Sequence, residues 1–248
     1  MRDVVNVAAV GDVHVGLDSG PVLGDPRELA ASADLLLLAG DLTRRGTPAE
    51  AEVLARELAA IDGVPIVAVL GNHDYENDDD EKIRAVVEAA GVTVLDGEAV
   101  TIDLGDVRVG VAGTPGFGGG FPGASCSEFG EPLMKAFVRH TKTMAAGLRA
   151  ALEGLDVDLR LALTHYSPVE ETLVGERLEI YPFLGSYLLA EAIDAGRADV
   201  AVHGHAHRGA RTGTTPCGVP VRNVAQPLIG RPYTVLRLDV GELAATHG

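Results

Sequence analysis

The chain has 248 residues, 46% of them hydrophobic, with 20 Lys and Arg against 36 Asp and Glu and a formal net charge of −16. That apolar share supports a sizeable core and excludes an intrinsically disordered chain, and the length suits one α/β domain over residues 1–248. The negative field disfavours nucleic acid and anionic membrane surfaces as partners, while a small anionic ligand stays open because a local site can carry the opposite sign.

A first buried strand is expected at residues 4–10, where the apolar run is broken only by Asn6. Similar runs recur at 35–38, 66–70, 159–163 and 200–202, too short for helices and too continuously apolar for strands with one wet face. Between the second and third, Thr47-Pro48-Ala49-Glu50 reads as a capping box with proline at the first helical position, followed by Leu54, Leu58 and Ile61 at helical spacing. A second amphipathic helix places Ile83, Val86, Val87 and Ala90 on one face and ends at Gly91; the acidic run 78–81 before it suits a helix start. The first half is therefore βαβαβ. Residues 100–104 and 107–111 alternate around Gly105-Asp106 as a hairpin, which makes the sheet mixed.

Residues 113–130 are rich in glycine, with Phe117, Phe121 and Phe129 interspersed, and are expected to form an irregular loop over the site. Helices follow at about 132–152 and 186–195, and residues 220–224 and 233–240 read as antiparallel strands closing one sheet. Cys126 and Cys217 are too few and too far apart for a disulfide framework or a zinc-thiolate site. No stretch reaches the length of a membrane span, which points to the cytoplasm.

The chemistry gathers where the apolar runs end: Asp12-Val13-His14, Gly40-Asp41, Gly71-Asn72-His73-Asp74, His165, and His203-Gly204-His205-Ala206-His207. Six of the eight histidines lie there; His140 and His247 do not. Ligand sites of open α/β sheets lie outside the carboxyl ends of the strands, so five separate segments would converge on one crevice. Imidazole and carboxylate donors without thiolates suit catalytic Mn, Fe, Zn, Co or Ni rather than structural zinc. A pair of such ions needs a shared carboxylate, for which Asp41 is the natural candidate. Any single fragment is commonly just a polar turn; all five in order, each after a strand, are not.

These five segments resemble the ordered motifs of the calcineurin-like metallophosphoesterase superfamily, over Asp12 to His207. The resemblance implies a four-layer αββα sandwich of two mixed sheets and a centre of two divalent cations. It implies that Asp12, His14, Asp41 and His207 hold one cation, and that Asp41, Asn72, His165 and His205 hold the other. It also implies that His73 is the leaving-group acid, with Asp74 orienting its imidazole by a hydrogen bond. The expected activity is hydrolysis of a small phosphorylated substrate, a phosphomonoester or phosphodiester, by a metal-bound hydroxide. Two carboxylates against two divalent ions and a hydroxide leave the site at about +1, so it attracts phosphate despite the acidic surface. The competing reading is a non-catalytic binding or scaffold module of the same fold; the presence of His73 beside every ligand argues against it. His203 stays open between a partner of the ligands and a packed strand-end residue. Arg44 and Arg45 stand as candidate phosphate contacts, and Tyr75 and Tyr166 as candidate stacking residues.

Overall fold

Three parallel strands, β1 (Val4–Val10), β2 (Leu35–Ala39) and β3 (Ile66–Val69), form the centre of the first sheet in the computed structural model, which describes residues 3–245. His247 lies outside the described residues. The crossovers carry α1 (Pro26–Ser32) and α2 (Pro48–Leu58), and α3 (Asp80–Ala89) leads to the parallel edge strand β4 (Val92–Val94). Thr47 caps α2 as expected, its hydroxyl accepting from Glu50 N at 3.4 Å with Pro48 in the first turn. The box closes differently, because the Glu50 carboxylate accepts from Arg45 N at 2.9 Å and so ties down the loop that follows Asp41.

The second sheet begins with the hairpin β5 (Glu98–Asp103) and β6 (Arg108–Thr114), paired antiparallel. The expected irregular segment contains a small hairpin of its own, β7 (Gly120–Phe121) with β8 (Ala124–Ser125), since two-residue strands leave no readable period. After α4 (Pro132–Glu153), strand β9 (Leu159–Thr164) lies parallel to β6. The chain continues through α5 (Tyr181–Leu184) and α6 (Tyr187–Ala195) to β10 (Val200–His203), β11 (Thr212–Thr214) and β12 (Pro220–Asn223). The sheet order is β11-β12-β10-β9-β6-β5.

The two C-terminal runs do not pair with each other. Strand β12 joins the second sheet beside β10, and a short helix α7 (Gln226–Ile229), ended by Gly230 at φ 65°, turns the chain back. Strand β13 (Thr234–Asp239) then pairs antiparallel with β1 at the edge of the first sheet, and α8 (Val240–Ala245) follows.

Three apolar layers separate four structural ones. Leu36, Leu38, Leu54 and Ile83 fill the space between the first sheet and α1 to α3. Val5, Leu37, Val67, Val109 and Leu161 fill the space between the sheets, and Leu148, Leu152, Leu189 and Ile193 pack α4 and α6 on the second sheet. The period of two explains the division of β2: Leu36 and Leu38 face the helices, Leu35 and Leu37 the other sheet. Each fully buried leucine stabilises by roughly 1.5–3 kcal/mol. The result is the αββα sandwich. No described helix is long and apolar enough to cross a membrane.

Candidate metal centre

Because β1, β2 and β3 run parallel, their carboxyl ends open on one edge, where the chain turns sharply. Of the non-glycine residues with positive φ among the described residues, Asp12 (58°), His14 (43°), Asp41 (50°) and His205 (67°) all belong to the five polar segments. Left-handed backbone at such residues costs energy, of order 1–3 kcal/mol each, and persists where surrounding structure enforces it for a purpose. Glycine supplies the remaining clearance: a Cβ on Gly71 would overlap the Asp41 backbone nitrogen, and Gly40, at φ 81°, lies against the His165 ring.

Two groups of donors result, each with its ligand-type atoms within 4.8 Å of one another: Asp12, His14, Asp41 and His207, and Asp41, His165 and His205. Asp41 belongs to both. In the first group His207 Nε2 donates to Asp12 Oδ1 at 2.8 Å, and His14 Nε2 lies 3.5 Å from His207 Nε2 and 3.7 Å from Asp41 Oδ2. In the second, His165 Nε2 lies 3.4 Å from Asp41 Oδ1 and 3.0 Å from Asn72 Oδ1, which brings Asn72 into the cluster. All seven residues nominated by the sequence therefore meet.

The surrounding backbone sets which nitrogen each ring presents. His165 Nδ1 donates to Ala39 O at 2.8 Å, across the gap between the sheets, and His205 Nε2 donates to Phe183 O at 3.2 Å, which leaves Nδ1 of His205 for the cluster. Carbonyls behind the rings are the usual device for orienting imidazole ligands. Nothing in the sequence marks these backbone acceptors. Both nitrogens of His165 face oxygen acceptors, so a positive species, a proton or a cation, belongs between Nε2 and Asn72.

The electrostatics agree. Burial lowers the pKa of His14, and burial followed by the charge of His165 pushes His205 down to about 3, so both rings are neutral and ready to ligate at neutral pH. For His165, burial acts downward but the carboxylates of Asp41 and Asp12 outweigh it and raise the pKa; for His207 the hydrogen bond to Asp12 raises it. Burial alone would raise Asp12, but the His207 hydrogen bond and the neighbouring imidazoles hold its carboxyl below the usual range. Carboxylate and neutral imidazole donors in two groups with a shared oxygen donor residue fit divalent cations of the borderline class.

His73 stands outside both groups, its ring centroid 4.6 Å from that of His14 and its side chain 40% exposed. Its backbone N–H donates to Asp41 Oδ1 at 2.8 Å. The expected bond from Asp74 to its imidazole is not made. His73 Nδ1 instead donates to Arg44 O at 3.0 Å, with Glu76 Oε2 at 3.5 Å, so Nε2 is the nitrogen left for chemistry. Consecutive residues of the 3-10 turn Asn72–Tyr75 point about a third of a turn apart, which carries Asp74 inward. There its buried carboxylate accepts from Leu42 N (3.1 Å), Thr43 N (2.8 Å), Thr43 Oγ1 (2.7 Å) and Gly71 N (2.8 Å). Burial, and then the charge of Asp41, push its pKa up to about 6 against the hydrogen bonds from Gly71 and Thr43.

His203 proves to be a packed strand-end residue. It is fully buried, with Nδ1 on Gly204 O at 2.7 Å and Nε2 on Thr172 Oγ1 at 2.9 Å, and burial pushes its pKa down to about 4. Arg44 turns away to Asp18 Oδ1 at 2.8 Å, and Tyr166 packs against the His205 ring, the centroids 4.5 Å apart and the planes tilted by 46°.

Two sheets that deliver acidic and imidazole donors to one shared edge, with a further histidine held beside them, define a metal-dependent phosphoesterase. The chain belongs to the calcineurin-like phosphoesterase family, whose pattern matches residues 5–209. Among solved structures it is similar to the phosphopantetheinyl hydrolase PptH from Mycobacterium tuberculosis, at 18% identity and a TM-score of 0.64, covering 89% of this chain and 88% of that one. TT1561 of Thermus thermophilus is similar at 15% identity and a TM-score of 0.57, covering 97% of this chain and 96% of that one. A search of curated protein sequences finds no match.

Proposed function

We propose that the chain hydrolyses a small phosphomonoester or phosphodiester at a centre of two divalent cations bridged by Asp41. Asp12, His14, Asp41 and His207 would hold one cation, and Asp41, Asn72, His165 and His205 the other. The observation that carries this reading is the sharing of Asp41 between two donor groups while His73, tied to Asp41 through its backbone, belongs to neither. When bound, the cations supply an activated water and Lewis-acid polarisation of the phosphoryl oxygens. His73 then has a separate role, since with Nδ1 committed to Arg44 O a proton on Nε2 can pass to the departing oxygen. Asp74 holds the two loops that present Asp41 and His73, and acts on the acid through the backbone.

The test is hydrolysis of chromogenic mono- and diesters by Mn²⁺-loaded protein. His73→Asn should lower kcat by roughly 10²- to 10⁴-fold with metal content retained. Asp41→Asn should lose both metal and activity. No hydrolysis above these variants by the unaltered chain would sink the catalytic reading in favour of a scaffold.

A further inference from the structure

A cavity of about 380 Å³ opens beside the second donor group, at Asn72. Tyr166 forms the wall between them, with its ring 4.5 Å from His205 on one side and 5.8 Å from Phe117 on the other. Phe117 in turn meets the His140 ring edge-on at 4.7 Å, so four rings run without a break from the cluster into the cavity. Tyr75 and Met144 complete an apolar interior, and Asp96 is the one carboxylate in the lining among the described residues. Among the described residues no Lys or Arg lines this space. Arg84, which shares an adjoining hollow with Asp96, already donates to Glu88 and to Val94 O and pairs with Glu98.

The cavity lies at the small end of ligand pockets, room for one ring-sized group rather than a polymer. Aromatic faces favour a flat substituent, and the Asp96 carboxylate, with His140 as the basic group that shares its lining, repels an anion and attracts an amine or a hydrogen-bond donor. Resting on the phosphoester reading above, we infer that this cavity receives the organic substituent of the substrate and selects a flat, neutral or amine-bearing group over one carrying a second anion. Cations at the centre would grip the phosphoryl group, and the cavity would decide which ester is held there. Phe117 and Asp96 are the specificity-determining residues, the first for ring stacking and the second for charge.

Calorimetry on the Mn²⁺-loaded full chain with non-hydrolysable phosphonates tests this, alongside ester hydrolysis. Benzylphosphonate should bind about tenfold or more tightly than methylphosphonate, because only the former reaches the rings. Its para-aminomethyl derivative should bind about fivefold or more tightly than its para-carboxy derivative. Phe117→Ala should remove the benzyl advantage, and Asp96→Asn, at an exposed position whose change leaves the packing intact, should bring the amine-to-carboxylate ratio to about one. If methylphosphonate binds and esters are hydrolysed, but benzylphosphonate gains nothing or the carboxylate derivative binds best, the inference is overturned and the phosphoester reading stands. If no phosphonate binds and no ester is hydrolysed, both fall.

Discussion

Asp74 is one residue from the proposed acid, yet its carboxylate takes four donors from the loops after β2 and β3 and none from His73. It works as a clamp between loops. Asp74→Ala should therefore leave several buried donors unmet and destabilise the fold by roughly 2–5 kcal/mol, read from denaturant midpoints. Metal-loaded Asp74→Ala should also lose kcat, because His73 would drift from the register that Asp41 sets. Gly71 makes the complementary case. Gly71→Ala forces the Asp41 segment to shift, so bound metal per chain should fall well below that of the unaltered protein while far-ultraviolet dichroism stays the same. Full metal content in that variant would contradict the close approach. The donor types and their places after strands were legible at this scale, since each motif is local. The partner of each donor was not, as the exchange of Asp74 for Arg44 O behind His73 shows.

Glu128 illustrates the element scale. It receives Arg139 Nε at 2.6 Å and Lys142 Nζ at 2.7 Å, and so pins the glycine-rich segment to α4, beside the cavity. These bonds hold its pKa down to about 2 against 4.5 for the free group. A depressed carboxyl contributes stability that is full above the unfolded value and lost as the pH falls toward the folded one, here between 4.5 and about 2. Hydrogen exchange in residues 122–131 should rise across that window in the unaltered chain more than in Glu128→Gln, where no charge titrates. The cluster is exposed to solvent, so the effect is local opening rather than global unfolding. The long elements of this region were legible: α4 and α6 fall where helical spacing puts them. Strands β7 and β8 were not, because two residues carry no periodicity, and β12 and β13 joined different sheets because α7 redirects the chain between them.

At the scale of the whole molecule, the charge of −16 and the acidic centre make cation binding a stabilising event. Four residues strained into left-handed backbone, and the two carboxylates of Asp12 and Asp41 among their imidazoles, are held by the two sheets together, and cations would offset the carboxylate charge. Mn²⁺ at about one hundred times its Kd should add about 2.7 kcal/mol per site, seen as a rise in Tm that a chelator reverses. An unchanged Tm at saturating metal would argue against a preformed centre. At the same scale, acidic bulk and the proposed phosphate ligand are compatible, since bound cations would set the local field at the cluster more than the distant surface does.

The class of fold and the donor-type residues at the strand ends are readable from the sequence alone, because hydrophobic period and turn chemistry act over a few residues. Only the tertiary structure decided how they pair. His165 meets Ala39 across a separation of 126 residues and Asp12 meets His207 across 195, and such contacts depend on the register of strands and the stacking of sheets. The cavity belongs to the same category: Asp96, Phe117, His140 and Tyr166 come from four different segments, and no local pattern announces that their side chains share one space.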